Sequence, residues 1–492
     1  MREAVGRVRG GVGVLGAVLW ALAVAVAAAP SPTAAEAKTG IDWLEVIAER
    51  PPLQHERGER WPLILWEGIG FEPQPRNVVD TMLARGVVQH VRVDAELIET
   101  AQALQAAGAP VIMMEGRSGV WPYDLAPPGE PWRHRYAEDA RVPQAWRALP
   151  SPAHFSGWAG AAEHIRRTLT RYKRAGVTVD AVWLDYEGEP SMASYAAAAH
   201  STAARLTVPA EALSDASAFR RYRRQLWLQL LSAYVAAPVR EVFPQAAVTN
   251  WVYAVSTPLH PVLDWTNRPH PASGPTLFTH TNPVAYAIDS AFRANRTGLG
   301  SLDQTGVDRV YMHVMLRQVS ADALNRRQLM PYLGAVVWVG RWVRDHREPT
   351  PVMSRQRYRE ALRHIWLRGV DAMEVFNPAR AGDEAMAIAD VVDALAVYDE
   401  MLAYRDFLDG GRVLNLRYPR VDDDGPLWSG LALGDRAVIR LVHQGGPRSR
   451  EELALQPWPG YRVVLEAGDQ GRTYILEKSG QSGRVDVAPQ SE

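Results

Sequence analysis

Two carboxylates, one residue apart, close an apolar run: Asp180-Ala181-Val182-Trp183-Leu184-Asp185-Tyr186-Glu187. On an extended chain alternate side chains share a face. Trp183, Asp185 and Glu187 therefore point one way, and Val182, Leu184 and Tyr186 the other. If helices cover the Val182/Leu184 face, the acids turn inward. Two acids this close do not both ionise comfortably, so one pKa rises. A carboxylic acid with a raised pKa can protonate a leaving oxygen near neutral pH. Asp185 and Glu187 are the candidate catalytic pair, one of them holding the proton. An isolated Asp-x-Glu more commonly caps a helix, pairs with an arginine or holds a cation. Placement on an inward strand face, flanked by Trp and Tyr, shifts the balance toward catalysis.

Other residues that suit carbohydrate chemistry fall near the ends of further apolar runs. They are Glu67, Glu115, Asn250, Trp251, Tyr253, Tyr311, His313, Trp338, Glu374 and Asn377. Tyr311 or His313 could hydrogen-bond a sugar hydroxyl. Trp251 or Trp338 could stack under a sugar ring. Each alone reads more simply as packing; their convergence on one rim makes the case.

The elements that must position these residues alternate along the chain. Eight apolar, β-branched-rich runs are each followed by a helical pattern or a long loop. They are Pro62–Gly70, Val87–Asp94, Pro110–Gly116, Val179–Glu187, Ala247–Val255, Asp308–Leu316, Leu333–Gly340 and Val370–Asn377. Helical patterns cover Val78–Arg85, Ala95–Ala107, Ala161–Ala175, Ala218–Phe243, Ser354–Arg368 and Ala385–Phe407. Such alternation means parallel strands with crossover helices. The expected fold is α/β, a (β/α)₈ TIM barrel whose site lies at the C-terminal ends of the strands. A doubly wound open sheet ranks second, because no Gly-rich phosphate loop follows the first run. From about Gly411 short runs separated by Gly, Asp and Pro predict an appended antiparallel β-sandwich. They are Arg412–Leu416, Arg436–Val442, Tyr461–Ala467 and Arg472–Glu477.

The segment ending at Glu187 resembles the signature of the chitinase family (glycoside hydrolase family 18), Asp-x-x-Asp-x-Asp-x-Glu on the fourth strand of a barrel. Asp180, Asp185 and Glu187 match the first, third and fourth acids, and Trp183 replaces the second. The shorter Asp-x-Glu is also similar to hyaluronidases and family 25 lysozymes. The resemblance implies that Glu187 is the general acid. It implies that Asp185 orients a substrate N-acetyl group for attack on the anomeric carbon. The substitution at Trp183 removes the partner that would tune Asp185.

Composition sets the setting. Among 492 residues there are 17 Trp, against 8 Phe, and no Cys, which excludes disulfides, thiolate metal sites and a Cys nucleophile. A net charge of −1 offers no electrostatic footprint for nucleic acid. Arg2, Arg7 and Arg9 precede an apolar run, Val12–Ala29, and Ala35-Glu36-Ala37 has the form of a signal-peptidase site. The expectation is a signal peptide over 1–37 and a secreted or periplasmic protein without a membrane partner. An uncleaved anchor is the alternative. The barrel is expected over 38–409 and the sandwich over 410–492.

No metal or cofactor is expected. HExxH and GxSxG patterns are absent, and Asp422-Asp423-Asp424 reads as an acidic surface turn. The seventh run has no carboxylate, which disfavours a glycosidase with a nucleophilic Glu there. The chain is thus expected to be an exported glycoside hydrolase, retaining, acting on a carbohydrate that carries N-acetyl groups. Two alternatives stay open: a non-catalytic carbohydrate-binding barrel, and an inverting enzyme pairing Glu187 with Glu67, Glu115 or Glu374.

Overall fold

The computed structural model describes residues 41–66, 75–92, 97–115, 155–184, 195, 208–250, 276–287, 302–341, 352–379, 382–417, 419, 425–446, 448–455, 458, 461–479 and 484–489. Within these, the first part of the chain alternates short strands with helices. The order is α1 (Trp43–Ala48), β1 (Leu63–Leu65), α2 (Arg76–Ala84), β2 (Val87–Gln89), β3 (Val91–Arg92), α3 (Ile98–Ala106), β4 (Ile112–Glu115), α4 (Phe155–Arg174) and β5 (Ala181–Leu184). Then come α5 (Ala216–Leu231), α6 (Ala237–Val242), β6 (Ala247–Asn250), β7 (His280–Thr281), β8 (Val284–Tyr286), α7 (Gln304–Leu329), β9 (Gly334–Gly340), α8 (Arg355–Trp366), β10 (Ala372–Val375), α9 (Glu384–Leu402) and α10 (Arg405–Gly410).

Local chemistry explains several boundaries. Asp215, Asp303 and Ser354 cap α5, α7 and α8 by accepting from backbone N–H groups of the first turn. Arg171, Lys173 and Arg174 close α4, where cations complement the carbonyl end. The helix expected over Ala218–Phe243 is interrupted by a π turn at Ser232–Ala236. Pro238 lies just beyond it and lacks the N–H that would continue the regular ladder.

The sixth expected strand is a correction. Asp308–Leu316 lies inside α7, and the strand position is taken by β7 and β8. The run is apolar on nearly every side, with Val310, Met312, Val314 and Met315 all at 1% exposure or less. A helix buried all round has no polar stripe, and a short apolar run is ambiguous between helix and strand. The true strands are short, polar His280-Thr281 and three-residue Val284–Tyr286, too brief to give a run-length signal. Thr281 Oγ1 donates to Asp322 on α7 at 2.7 Å, tying the two together.

All strand pairs in this part are parallel. One ladder runs β2-β1-β10-β9-β7, with β8 also on β9; a second runs β3-β4-β5-β6. Only His90 separates β2 from β3. Thr279 N donates to Val248 O at 2.9 Å, which links β6 to the approach to β7.

Alternate residues of each strand divide between layers. Leu63, Leu65, Val337 and Val375 pack with α7, α8 and α9. Val91, Met113, Val182 and Val248 pack with α4, α5 and α6. The remaining strand face forms a third cluster that contains no residue from these helices. It draws Ile64, Val88 and Ile112 together with Trp183, Tyr286 and Trp338, so residues of both ladders meet in one core.

After Gly411 the pattern becomes antiparallel. Gly411 sits where a side chain would run into the Phe407 carbonyl oxygen, its own hydrogen-bond partner. The strands are β11 (Arg412–Val413), β12 (Leu427–Leu433), β13 (Arg436–Val442), β14 (Ser449–Ala454), β15 (Arg462–Ala467), β16 (Arg472–Ser479) and β17 (Arg484–Pro489). They form a five-stranded sheet, β11-β12-β13-β16-β17, and a separate β14-β15 pair. Gly434, with φ 58°, opens the two-residue turn between β12 and β13. Leu453, Val463 and Leu465 of the pair pack on Ile439, Leu441 and Leu476 of the larger sheet. Among the described residues no helix is long and apolar enough to cross a membrane. Residues 1–37, like Asp422-Asp423-Asp424, lie outside the described residues.

Candidate active site

The all-strand core is capped by a layer of aromatic and ionisable side chains. Trp183 shares its strand face with Ala181, and Glu374 shares its own with Ala372; both alanines belong to the same core. Glu374 lies opposite Trp338 across one ladder and opposite Ile64 across the other. His90 occupies the gap between β2 and β3, two residues after the core residue Val88. Its Nε2 approaches Glu374 Oε1 to 3.1 Å.

Rings enclose this pair. Trp66 meets His90 edge-on at 6.1 Å between centroids and lies 4.9 Å from Trp338. Trp183 is 6.3 Å from His90 and 6.0 Å from Trp61. Phe376 bridges Tyr286 and Trp66, at 5.3 and 5.8 Å. Burial lowers the His90 pKa to about 3, so the imidazole is neutral. The His90–Glu374 approach is not aligned as a hydrogen bond, and His90 Nδ1 has no hydrogen-bond partner among the described residues. The layer therefore sets a neutral imidazole and a carboxyl group in apolar surroundings, where any proton movement carries a large electrostatic effect.

A second ionisable group follows β9. Arg341 Nε donates to Asp390 Oδ1 at 2.6 Å, and Arg341 Nη1 to Met353 O at 2.8 Å. Burial pushes the Asp390 carboxyl up to about 7, against the pull of Arg341. Burial likewise raises the Tyr358 hydroxyl well above its usual value.

Of the residues expected from the sequence, Trp338 and Glu374 are brought together in the layer. Asn250 is buried at the end of β6, on the alternation of Val248, which packs toward the helices. Asn377 is buried two residues past β10. Glu115 ends β4 opposite Leu184. Tyr311 and His313 do not join the layer as strand residues; they are buried on α7, where His313 Nδ1 lies 2.6 Å from Arg309 O. Glu67, Asp185, Glu187, Trp251 and Tyr253 lie outside the described residues. Sequence reasoning missed His90. Its signal was a histidine two positions from an inward Val88 in a run already read as a strand. Among the described residues no group of three or more His, Asp or Glu could hold a metal ion.

No family model matches the chain, and no curated protein matches it. Solved structures align with it over most of its length at low identity. An endo-β-1,4-mannanase from Thermotoga petrophila is 9% identical, covering 88% of this chain and 97% of its own, with a TM-score of 0.35. The trehalose-6-phosphate hydrolase of Bacillus licheniformis is 10% identical, covering 85% and 99%, with a TM-score of 0.42. A glycoside hydrolase family 30 xylanase from Clostridium acetobutylicum is 10% identical, covering 87% and 98%, with a TM-score of 0.35. Superposition of this quality transfers no residue role to this chain.

Proposed function

We propose that the chain is an exported glycoside hydrolase: a closed (β/α)₈ barrel over 38–409 with a β-sandwich over 410–492. The observation that carries the reading is the alternation at β5. Ala181 and Trp183 belong to the all-strand core, while Val182 packs with the helices. A core built only from strand residues of both ladders is what a closed barrel requires. By the same sequence alternation we infer that Asp185 and Glu187 are the next two inward residues.

In the proposed reaction Glu187 donates its proton to the glycosidic oxygen as the bond to the anomeric carbon breaks. The acetamido oxygen of the substrate forms the new bond to that carbon, with Asp185 stabilising the positive charge. Water then opens this intermediate and returns a proton to Glu187, with net retention. Glu374 has no exposed surface and lies against His90, which weighs against its activating a water in an inverting mechanism.

The test is turnover on a panel of glycans with and without N-acetyl groups. Glu187→Gln should abolish whatever cleavage the wild type shows; unchanged turnover would sink the reading. A second reading, a binding barrel without chemistry, is favoured by the aromatic Trp183 where an acid would assist Asp185. It expects glycan binding without cleavage and insensitive to Glu187→Gln.

A further inference from the structure

Three arginines share one face of α8: Arg355, Arg359 and Arg363, spaced by four. Across from them α9 carries Asp393 and Glu400, spaced by seven. Arg355 holds Asp393 through two bonds of 2.9 Å. Arg363 holds Glu400 through bonds of 2.8 to 3.1 Å. The α9 position between those two acids on the same face is Ala396, which is exposed. The middle rung of this ladder thus has a cation and no carboxylate. Among the described residues no hydrogen bond or ion pair engages Arg359, yet its Nε is closed off from solvent.

Arg359 borders a cavity of about 860 Å³ where α8 and α9 meet the C-terminal sheet. Also lining it, Arg357 of α8, 7% exposed, binds Asp469 at 2.9 Å through Nη2, and its Nε is buried without a partner among the described residues. Five arginines and four carboxylates line the space, so one positive charge is left over. Every other arginine of the lining has a carboxylate; the surplus belongs to Arg359.

We propose that this cavity binds an oxyanion on Arg359, either the carboxylate of an acidic sugar or a free inorganic anion. A guanidinium presents a planar fork of donors that matches carboxylate, phosphate and sulfate oxygens. The cavity lies on the helix layer rather than in the strand core, so the proposal does not depend on the glycosidase reading.

The test is calorimetric titration of the full chain at constant ionic strength with glucuronate, phosphate and sulfate, and with glucose as a neutral control. At least one oxyanion should bind and glucose should not. Arg359→Gln should weaken that binding by about tenfold or more. Ala396→Glu supplies the missing carboxylate from within; it should abolish binding while keeping or raising the melting temperature. Binding of glucuronate alone identifies a sugar carboxylate, and binding of phosphate or sulfate alone a free anion. No binding by any of the three, binding of glucose equal to that of the oxyanions, or binding unchanged in both variants overturns the proposal.

Discussion

His90 Nε2 lies 3.1 Å from Glu374 Oε1, and neither side chain has more than 1% of its surface exposed. The contact joins the β2–β3 junction to β10 across the first strand, inside a wall of tryptophans.

That enclosure has a thermodynamic consequence. Burial lowers the His90 pKa from 6.5 to about 3. Between these values the unfolded chain binds a proton that the folded chain refuses. Stability contributed by neutral His90 is intact above 6.5 and lost as pH falls toward 3, by about 1.4 kcal/mol per pH unit at most. The melting temperature of the wild type should fall on acidification through this window, and His90→Gln should flatten the slope. Equal slopes in the two proteins would contradict the neutral, buried imidazole.

Asp390 acts in the opposite sense. Burial raises its pKa from 3.8 to about 7. The folded chain keeps a proton that the unfolded chain has released, so this group's contribution falls as pH rises across that window and is level above it. Asp390→Asn should remove this descending component from a plot of unfolding free energy against pH. A variant whose profile parallels the wild type would show that Arg341 keeps Asp390 ionised throughout.

These groups also mark what could be read from the chain. Seven of the eight expected strand runs overlap observed strands, because Val-rich runs such as Leu333–Gly340 between helical patterns leave few alternatives. The sixth failed at α7, where burial on all sides erased the helical period. Glu374 and Trp338 were legible as inward strand-end residues. His90 was not, because its partner is supplied by a strand some 280 residues later, and no local spacing encodes that meeting. Arg359 was invisible for a related reason: its significance is a carboxylate missing from another helix. Asp185 and Glu187 remain legible in the sequence alone.

The junction between the helix layer and the C-terminal sheet rests on a buried ion pair. Arg440 on β13 holds both Glu360 oxygens, at 2.9 and 2.7 Å. Burial opposes the Glu360 charge, but Arg440 and His364 hold its carboxyl well below the usual range. Around it, His364 Nδ1 and Arg368 Nε both meet Ser429 Oγ at 2.9 Å. Arg440→Ala leaves the buried Glu360 carboxylate with only the longer contacts of Arg363 and His364, at 3.3 and 3.2 Å, and should cost about 3 kcal/mol in urea unfolding. Adding Glu360→Leu to Arg440→Met should recover much of that loss. A double variant no more stable than Arg440→Ala would mean the pair itself, rather than the stranded charge, carries the stability.

Trp183 belongs to the buried aromatic layer, and its surroundings explain why an acid would not serve at this position. The ring is 1% exposed. It sits against Trp61 and His90, and its Nε1 has no hydrogen-bond partner among the described residues. Trp183→Ala should cost about 3–5 kcal/mol through the cavity it leaves. Trp183→Asp should cost more, since it buries a carboxyl group in the same aromatic layer as Glu374. That carboxyl would keep its proton in the folded state well above the ordinary Asp value. Its penalty should therefore grow as pH rises from about 4, the ordinary Asp pKa, and level off above the raised value. Thermal unfolding of both variants at acid and at alkaline pH separates the two effects. The deficit of Trp183→Asp relative to Trp183→Ala should be small in acid and large in alkali. Equal deficits at both would show that the layer already admits water or a counter-charge to this position.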